Sequence, residues 1–286
     1  MLIGVFMLKR IRSLTYQYAI PAVFVIYILL DLLLHGVGQL LSFLPRTLPM
    51  GFLTEIIMIL VPVGFVFFFG FSHTFKKGNL LRGLICFLPI IVSQMLLLGL
   101  FFSENLGNPE ANWKPWYLIV YGVFSVVGIG IREECFYRAT IQNILAKKYA
   151  NSVKGIWITV IVSATIFGLT HISNIFFGMD PLAVLNQVIS AAFLGLLFGA
   201  VYLRSGSIWA LILVHTLTDL AGLAGSTFMY ISDIEDLNRI SFSKEKIFIW
   251  LIYAGIAVFL LRPSKCKQIC ENLCFTGEEA DSATHT

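Results

Sequence analysis

Three short stretches of the sequence place ionisable side chains inside apolar runs, and these are the residues equipped for chemistry. Ile131-Arg-Glu-Glu-Cys-Phe-Tyr-Arg138 carries Glu133, Glu134 and Arg138; Phe167-Gly-Leu-Thr-His171 carries His171; His215-Thr-Leu-Thr-Asp219 carries His215 and Asp219. On a helix Glu134 and Arg138 are four apart and share a face, so they can pair, while Glu133 sits about 100° further round and is left free to act. His215 and Asp219 likewise share a face. Singly, each group has a plain structural reading: a histidine on an apolar helix is usually hydrogen-bonded packing, and a His and an Asp one turn apart can satisfy each other. Together they are too many costly groups to be scattered toward lipid, and they are expected to converge on one wet cavity.

The residue types suggest a reaction. A buried carboxylate beside a histidine can take a proton from water while the neighbour orients that water. A second histidine with an Asp partner can donate to a developing oxyanion. The combination describes attack of water on a carbonyl. No Gly-x-Ser-x-Gly elbow, no His-paired cysteine and no His-Glu-x-x-His occurs, so neither a covalent nucleophile nor that zinc motif is indicated.

The elements that must hold these groups are membrane helices. Over 286 residues the chain is 58% hydrophobic and 13% charged, with a mean hydropathy of +0.85, leaving too little polar surface to cover a soluble globule of this size. Apolar runs of about twenty residues fit helices, whereas a barrel would show alternation over about ten. The expected fold is all-α, a polytopic transmembrane helical bundle of about eight spans with the catalytic cavity inside. The spans are Tyr16 to His35, Leu53 to Phe71, Leu81 to Phe102, Tyr117 to Leu145, Ile156 to Ile172, Leu182 to Leu203, Ile208 to Met229 and Ile247 to Leu261, the fourth ending in an amphipathic piece from Gln142 to Lys148.

Basic residues alternate across the connections. Lys9, Arg10 and Arg12, then Lys76, Lys77 and Arg82, then Lys147, Lys148 and Lys154, then Arg204, then Arg262, Lys265 and Lys267 fall on one side; Arg46, the run with Glu104, Glu110 and Lys114, Asp180, and the mixed run from Asp233 to Lys246 fall on the other. By the positive-inside rule both termini are expected in the cytoplasm. The formal charge of +4 is spread among these connections without forming a patch, so no nucleic-acid partner is implied. No cleavable signal peptide is expected at the start.

The spacing Glu133-Glu134-x-x-x-Arg138, Phe167-x-x-x-His171 and His215-x-x-x-Asp219 resembles the three-motif signature of the CPBP family, the CAAX proteases and bacteriocin-processing enzymes also called Abi proteins. The stretch from Gly195 to Trp209 is similar to the Gly-rich approach to that family's third motif. The resemblance covers about 117–220. It implies an eight-helix intramembrane endopeptidase acting on a membrane-embedded or lipidated protein or peptide, as in CAAX-type C-terminal processing or bacteriocin maturation. Carried over, Glu133 and His171 would position and activate water, His215 and Asp219 would stabilise the oxyanion, and Glu134 would be held by Arg138. Asp219 stands where the prenyl proteases usually have Asn; unlike an amide, a charged Asp cannot donate, so it would orient His215 or be protonated. Ala139 replaces a frequent Gly, a matter of local packing. Metal use stays open: Glu133, His171 and His215 are a possible zinc set, and a metal-free mechanism uses the same atoms.

Two other readings use the same residues: a non-catalytic membrane binding or bacteriocin-immunity protein, and a proton-coupled transporter, for which no inverted repeat is visible. The protease domain is expected over 1–262, with 263–286 a cytoplasmic tail whose Cys266, Cys270 and Cys274 fall on one stripe, an apolar helix edge before a lipidation or metal site. Asp31 and His35 can pair across one turn in a structural or interfacial role. Counted at 1.5 Å per residue from the basic markers, Glu134, His171 and His215 lie about 20, 25 and 15 Å deep, so spans four and five must tilt or begin outside the bilayer for the groups to meet.

Overall fold

The computed structural model describes residues 2–45, 47–238 and 243–270. Arg46, residues 239–242 of the connection before the last span, and the tail from 271 on, including Cys274, lie outside the described residues. The rest is helical: α1 (Leu2–Gln17), α2 (Ala19–Leu41), α3 (Leu48–Phe68), α4 (Leu80–Cys86), α5 (Leu88–Asn105), α6 (Trp116–Phe136), α7 (Asn143–Tyr149), α8 (Val153–Leu169), α9 (Pro181–Ser205), α10 (Ile208–Gly222), α11 (Ala224–Phe228), α12 (Asp233–Asn238), α13 (Lys244–Leu260) and α14 (Pro263–Cys270). A π-helical turn, Tyr137–Gln142, joins α6 to α7, and a 3-10 segment, Thr170–Phe177, extends α8. Among the described residues, extended pairing is confined to an isolated bridge between Trp113 and Met229.

Among the described residues five helices are long and apolar enough to cross a membrane: α2, α3, α5, α8 with its 3-10 extension, and α9; α13 and α14, bent by 58° at their junction, make a sixth if taken together. The protein is an integral, multi-pass membrane protein. The other two stretches expected to cross are α6, whose last turns carry Arg132, Glu133 and Glu134, and α10, whose 15 residues span about 22 Å against a hydrocarbon core of about 30 Å. These two helices carry the first and third motifs, and they pack on each other, with α3 against α6 and α5 against α10.

Burial separates inner from outer helices. Half of the most apolar window is buried in α8 with its extension and in α9, but only 17% in α2 and 11% in each of α3 and α5. On α2 the buried stripe is Ala19, Val23, Ile26 and Leu30, at helical spacing, while Leu29, Leu32 and Leu33 point outward and suit contact with lipid chains. The inner set packs α8 on α9 and α6 on both α3 and α10, with α13 against α9 and α5 against α10.

Local chemistry fixes these helices in register. Asp180 accepts from the backbone amides of Leu182 and Ala183 at 2.9 and 3.0 Å, and Pro181 follows at the first position of α9, where its missing N–H costs nothing. At the other end Gly206 adopts φ +65°, a left-handed conformation that a side chain disfavours; Ser207 then caps α10 through the amide of Ala210. The reversal brings α9 and α10 into adjacent positions. At the first basic connection, Arg12 donates from Nε to the Phe68 carbonyl at 2.6 Å, satisfying an orphan carbonyl at the end of α3.

One expectation changes. His35 does not turn to Asp31 but lies 2.8 Å from the Gln39 amide, one turn onward on the same helix. Cys266 is fully buried and Cys270 partly so, one turn apart on the edge of α14 that packs against the core.

Candidate active site

The carboxylates of the first motif sit at the end of α6, directly before the π-helical turn. Widening the helix here alters the ladder after Phe136: Thr140 Oγ1 donates to the Cys135 carbonyl at 3.1 Å, and Ser163, reaching from α8, donates to the Tyr137 carbonyl, also at 3.1 Å. Such π-turns are frequent at functional sites. Gln142, at the end of the turn, donates to the Gly199 carbonyl of α9 at 2.9 Å. The turn is therefore pinned by both inner helices.

Glu134 and Arg138 form the buried pair that their spacing implies, 3.3 Å apart with 0% and 1% of each side chain exposed. The contact is an ion pair without hydrogen-bond geometry, and the guanidinium of Arg138 has no hydrogen-bond partner among the described residues. Its guanidinium lies 4.6 Å from the ring centre of Phe167 and 5.5 Å from that of Phe198. These ring faces carry negative potential and partly replace the missing polar partners. The second oxygen of Glu134 reaches across to α10, where Oε1 is 2.7 Å from Nδ1 of His215.

That contact fixes one proton of His215. A carboxylate oxygen accepts, so Nδ1 carries the proton and Nε2 is turned toward the other two acids. Nε2 stands 3.3 Å from Oε2 of Glu133 and 3.6 Å from Oδ2 of Asp219. Unlike Glu134, Glu133 keeps 29% of its side chain accessible and Asp219 keeps 23%. The close approach of α6 to α10 depends on Gly130, where an added Cβ would lie 2.7 Å from Thr216 Oγ1.

His171 belongs to the 3-10 segment after α8, not to the α-helix itself. The tighter winding turns its ring back so that Nδ1 is 3.1 Å from the Phe167 carbonyl. That oxygen can only accept, which leaves Nε2 of His171 unprotonated in the neutral ring. Phe167 is the partition between the two histidines, edge-on to His171 at 5.5 Å and to His215 at 5.9 Å. Gly195 of α9 gives Phe167 its room, since a Cβ there would lie 2.9 Å from the ring.

Glu133, His171, His215 and Asp219 all line one cavity of about 950 Å³. Apolar side chains such as Leu34, Leu97 and Phe136 form much of its wall, and Asn174 and Gln187, hydrogen-bonded at 2.8 Å, lie on it as well. The three motifs thus meet as expected. Among the described residues no three His, Cys, Asp or Glu side chains converge as a metal site. The hydrogen bonds at Nδ1 leave Nε2 of each histidine as its ligating nitrogen, but Glu133, His171 and His215 do not converge on one point as zinc would require.

Sequence reasoning passed over Glu55. This residue of α3 accepts from Arg132 at 2.6 Å and from Ser125 at 2.8 Å, anchoring the start of the charged cluster from the opposite helix. The signal was available, because Glu55 is an acid inside an apolar run, as Glu134 is. The aromatic bed under Arg138 was harder to see: Phe167 opens the second motif but nothing in the spacing turns it toward Arg138, and Phe198 is unremarkable among 25 phenylalanines.

Residues 115–221 match the family model described as type II CAAX prenyl endopeptidase Rce1-like. The match spans all three motifs, and over this segment the chain is similar to the CAAX protease family that they resemble. No curated protein and no solved structure matches the chain.

Proposed function

We propose that the chain is an intramembrane endopeptidase that uses water to hydrolyse a peptide bond of a membrane-embedded or lipidated protein or peptide. The endopeptidase family matched over 115–221 supports the class of reaction. The observation that carries the assignment is the meeting of Glu133 and Asp219 at Nε2 of His215 in one largely apolar cavity.

In the proposed reaction, water bound between Glu133 and Nε2 of His171 gives its proton to Glu133. The resulting hydroxide adds to the scissile carbonyl carbon, and the carbonyl oxygen takes the negative charge. His215, doubly protonated, donates Nε2–H to that oxyanion while Nδ1–H stays on Glu134. Asp219 orients the imidazole and balances its charge. When the tetrahedral intermediate collapses, the carbon–nitrogen bond breaks and Glu133 returns its proton to the leaving amine. Arg138 acts through Glu134, keeping that carboxylate in place under His215. No step needs a covalent enzyme intermediate.

Both termini are assigned to the cytoplasm on the alternation of basic residues. The protease unit is assigned to 1–262, with the cysteine-containing tail as a cytoplasmic appendage. The test is a cleavage assay in proteoliposomes with an S-farnesylated peptide ending in Cys-aliphatic-aliphatic-Met, read by mass spectrometry. A product shortened at its C-terminus is expected; an intact peptide after prolonged incubation with folded protein contradicts the assignment.

A further inference from the structure

The cavity has a second polar pole, away from the three motifs. Lys246 lies in the first turn of α13 and lines the same space. Its Nζ is buried and has no hydrogen-bond partner among the described residues. The residue is a poor fit to its own helix, because the N-terminal turn carries a positive partial charge that favours anions. Ser243 caps this turn through the amide of Lys246 at 3.3 Å, and Lys246 adds a whole charge where the dipole is already positive. The other cation on the wall, Arg132, is neutralised by Glu55 at 2.6 Å. Asp233 faces the cavity too, but it is exposed and forms no ion pair with Lys246. Lys246 as a whole is only partly buried, but an ammonium group sealed from water without a partner among the described residues is costly to keep, and an anion entering the cavity would remove that cost. One turn further, Trp250 donates to Ser190 of α9 at 3.0 Å, which holds this face of α13 against the cavity wall.

We propose that Lys246 is a specificity residue that binds the free C-terminal carboxylate of the peptide substrate, so that the cavity measures the chain from its charged end to the scissile bond. This rests on the endopeptidase reading above. An extended peptide advances about 3.3–3.6 Å per residue, so the anchored carboxylate sets which peptide bond reaches Glu133. Lys246 contacts the substrate end and takes no part in the proton transfers.

The experiment compares one S-farnesylated peptide as the free acid and as the C-terminal amide, against wild type, Lys246→Met and Lys246→Arg in proteoliposomes. Cleavage and equilibrium binding are both measured. Wild type is expected to favour the acid at least tenfold, chiefly in KM, and Lys246→Met to lose that preference, so that its ratio of acid to amide cleavage falls to about one. Lys246→Arg is expected to retain most of it. If both peptides are cleaved but Lys246→Met keeps the wild-type acid-to-amide ratio, the anchor is wrong and Lys246 merely lies along the wall, while the endopeptidase reading survives. If nothing is cleaved yet the acid binds preferentially and only through Lys246, the anchor stands and the reaction assignment fails. If wild type neither binds nor cleaves the acid in preference to the amide, the anchor is overturned.

Discussion

Nδ1 of His215 lies 2.7 Å from Oε1 of Glu134, while Nε2 of the same ring faces Glu133 at 3.3 Å. Two adjacent glutamates of one helix therefore grip opposite edges of one imidazole. Their environments divide their roles: Glu134 is sealed against Arg138, and Glu133 opens to the cavity.

Removing the sealed acid should damage the fold. Glu134→Ala leaves Arg138 buried without a counter-charge, and breaking a buried pair in this way costs about 3–5 kcal/mol. Thermal unfolding in detergent should show a marked loss for Glu134→Ala and a minor one for Glu133→Ala, whose side chain is partly open. Equal destabilisation by the two variants contradicts the division.

Arg138→Lys should not substitute. The guanidinium lies across the rings of Phe167 and Phe198, and an ammonium lacks the flat face that stacks there. Lower stability and activity are expected, on the order of tenfold or more in kcat/KM. A fully active Lys variant would show that charge alone suffices.

Asp219→Asn is expected to stay within about tenfold of wild-type activity, because an amide can donate to the oxyanion directly where Asp acts through His215. Asp219→Ala should lose about 10²–10³-fold in kcat, the range for removing one stabilising group. Equivalent behaviour of the two variants would remove Asp219 from the site.

Gly130→Val tests positioning without touching an ionisable group. A side chain there meets Thr216 at the crossing of α6 and α10, so Glu133 and His215 are pushed apart. A displacement of about 1 Å can cost about 10²-fold. Activity should fall while membrane insertion persists, and an unchanged kcat contradicts dependence on this crossing.

Much of this was legible in the sequence, for one reason: in lipid every ionisable group is conspicuous. Glu133, Glu134, Arg138, His171, His215 and Asp219 stood out by cost alone, and helical spacing paired Glu134 with Arg138 and His215 with Asp219. The eight apolar stretches are all helical, but the third divides into α4 and α5, the fourth runs through the π-turn into α7, the seventh divides into α10 and α11, and among the described residues five helices, or six with the bent pair α13 and α14, meet the length and apolarity of a membrane span. Spacing within a motif says nothing about contacts between motifs. The bond from Glu134 to His215 spans 81 positions, so it is set by helix packing. The π-turn and the 3-10 winding at His171 were hidden as well, since both arise where inner helices meet and neither breaks the apolar pattern.

The most direct measurement compares purified wild type with Glu133→Gln in the farnesyl-peptide cleavage assay, after unfolding curves have shown that both are equally folded. Glu133→Gln keeps the shape of the side chain but cannot accept the proton of water, so cleavage should fall by at least about 10²-fold with peptide binding preserved. Cleavage by Glu133→Gln at the wild-type rate would contradict the assignment of Glu133 as the base.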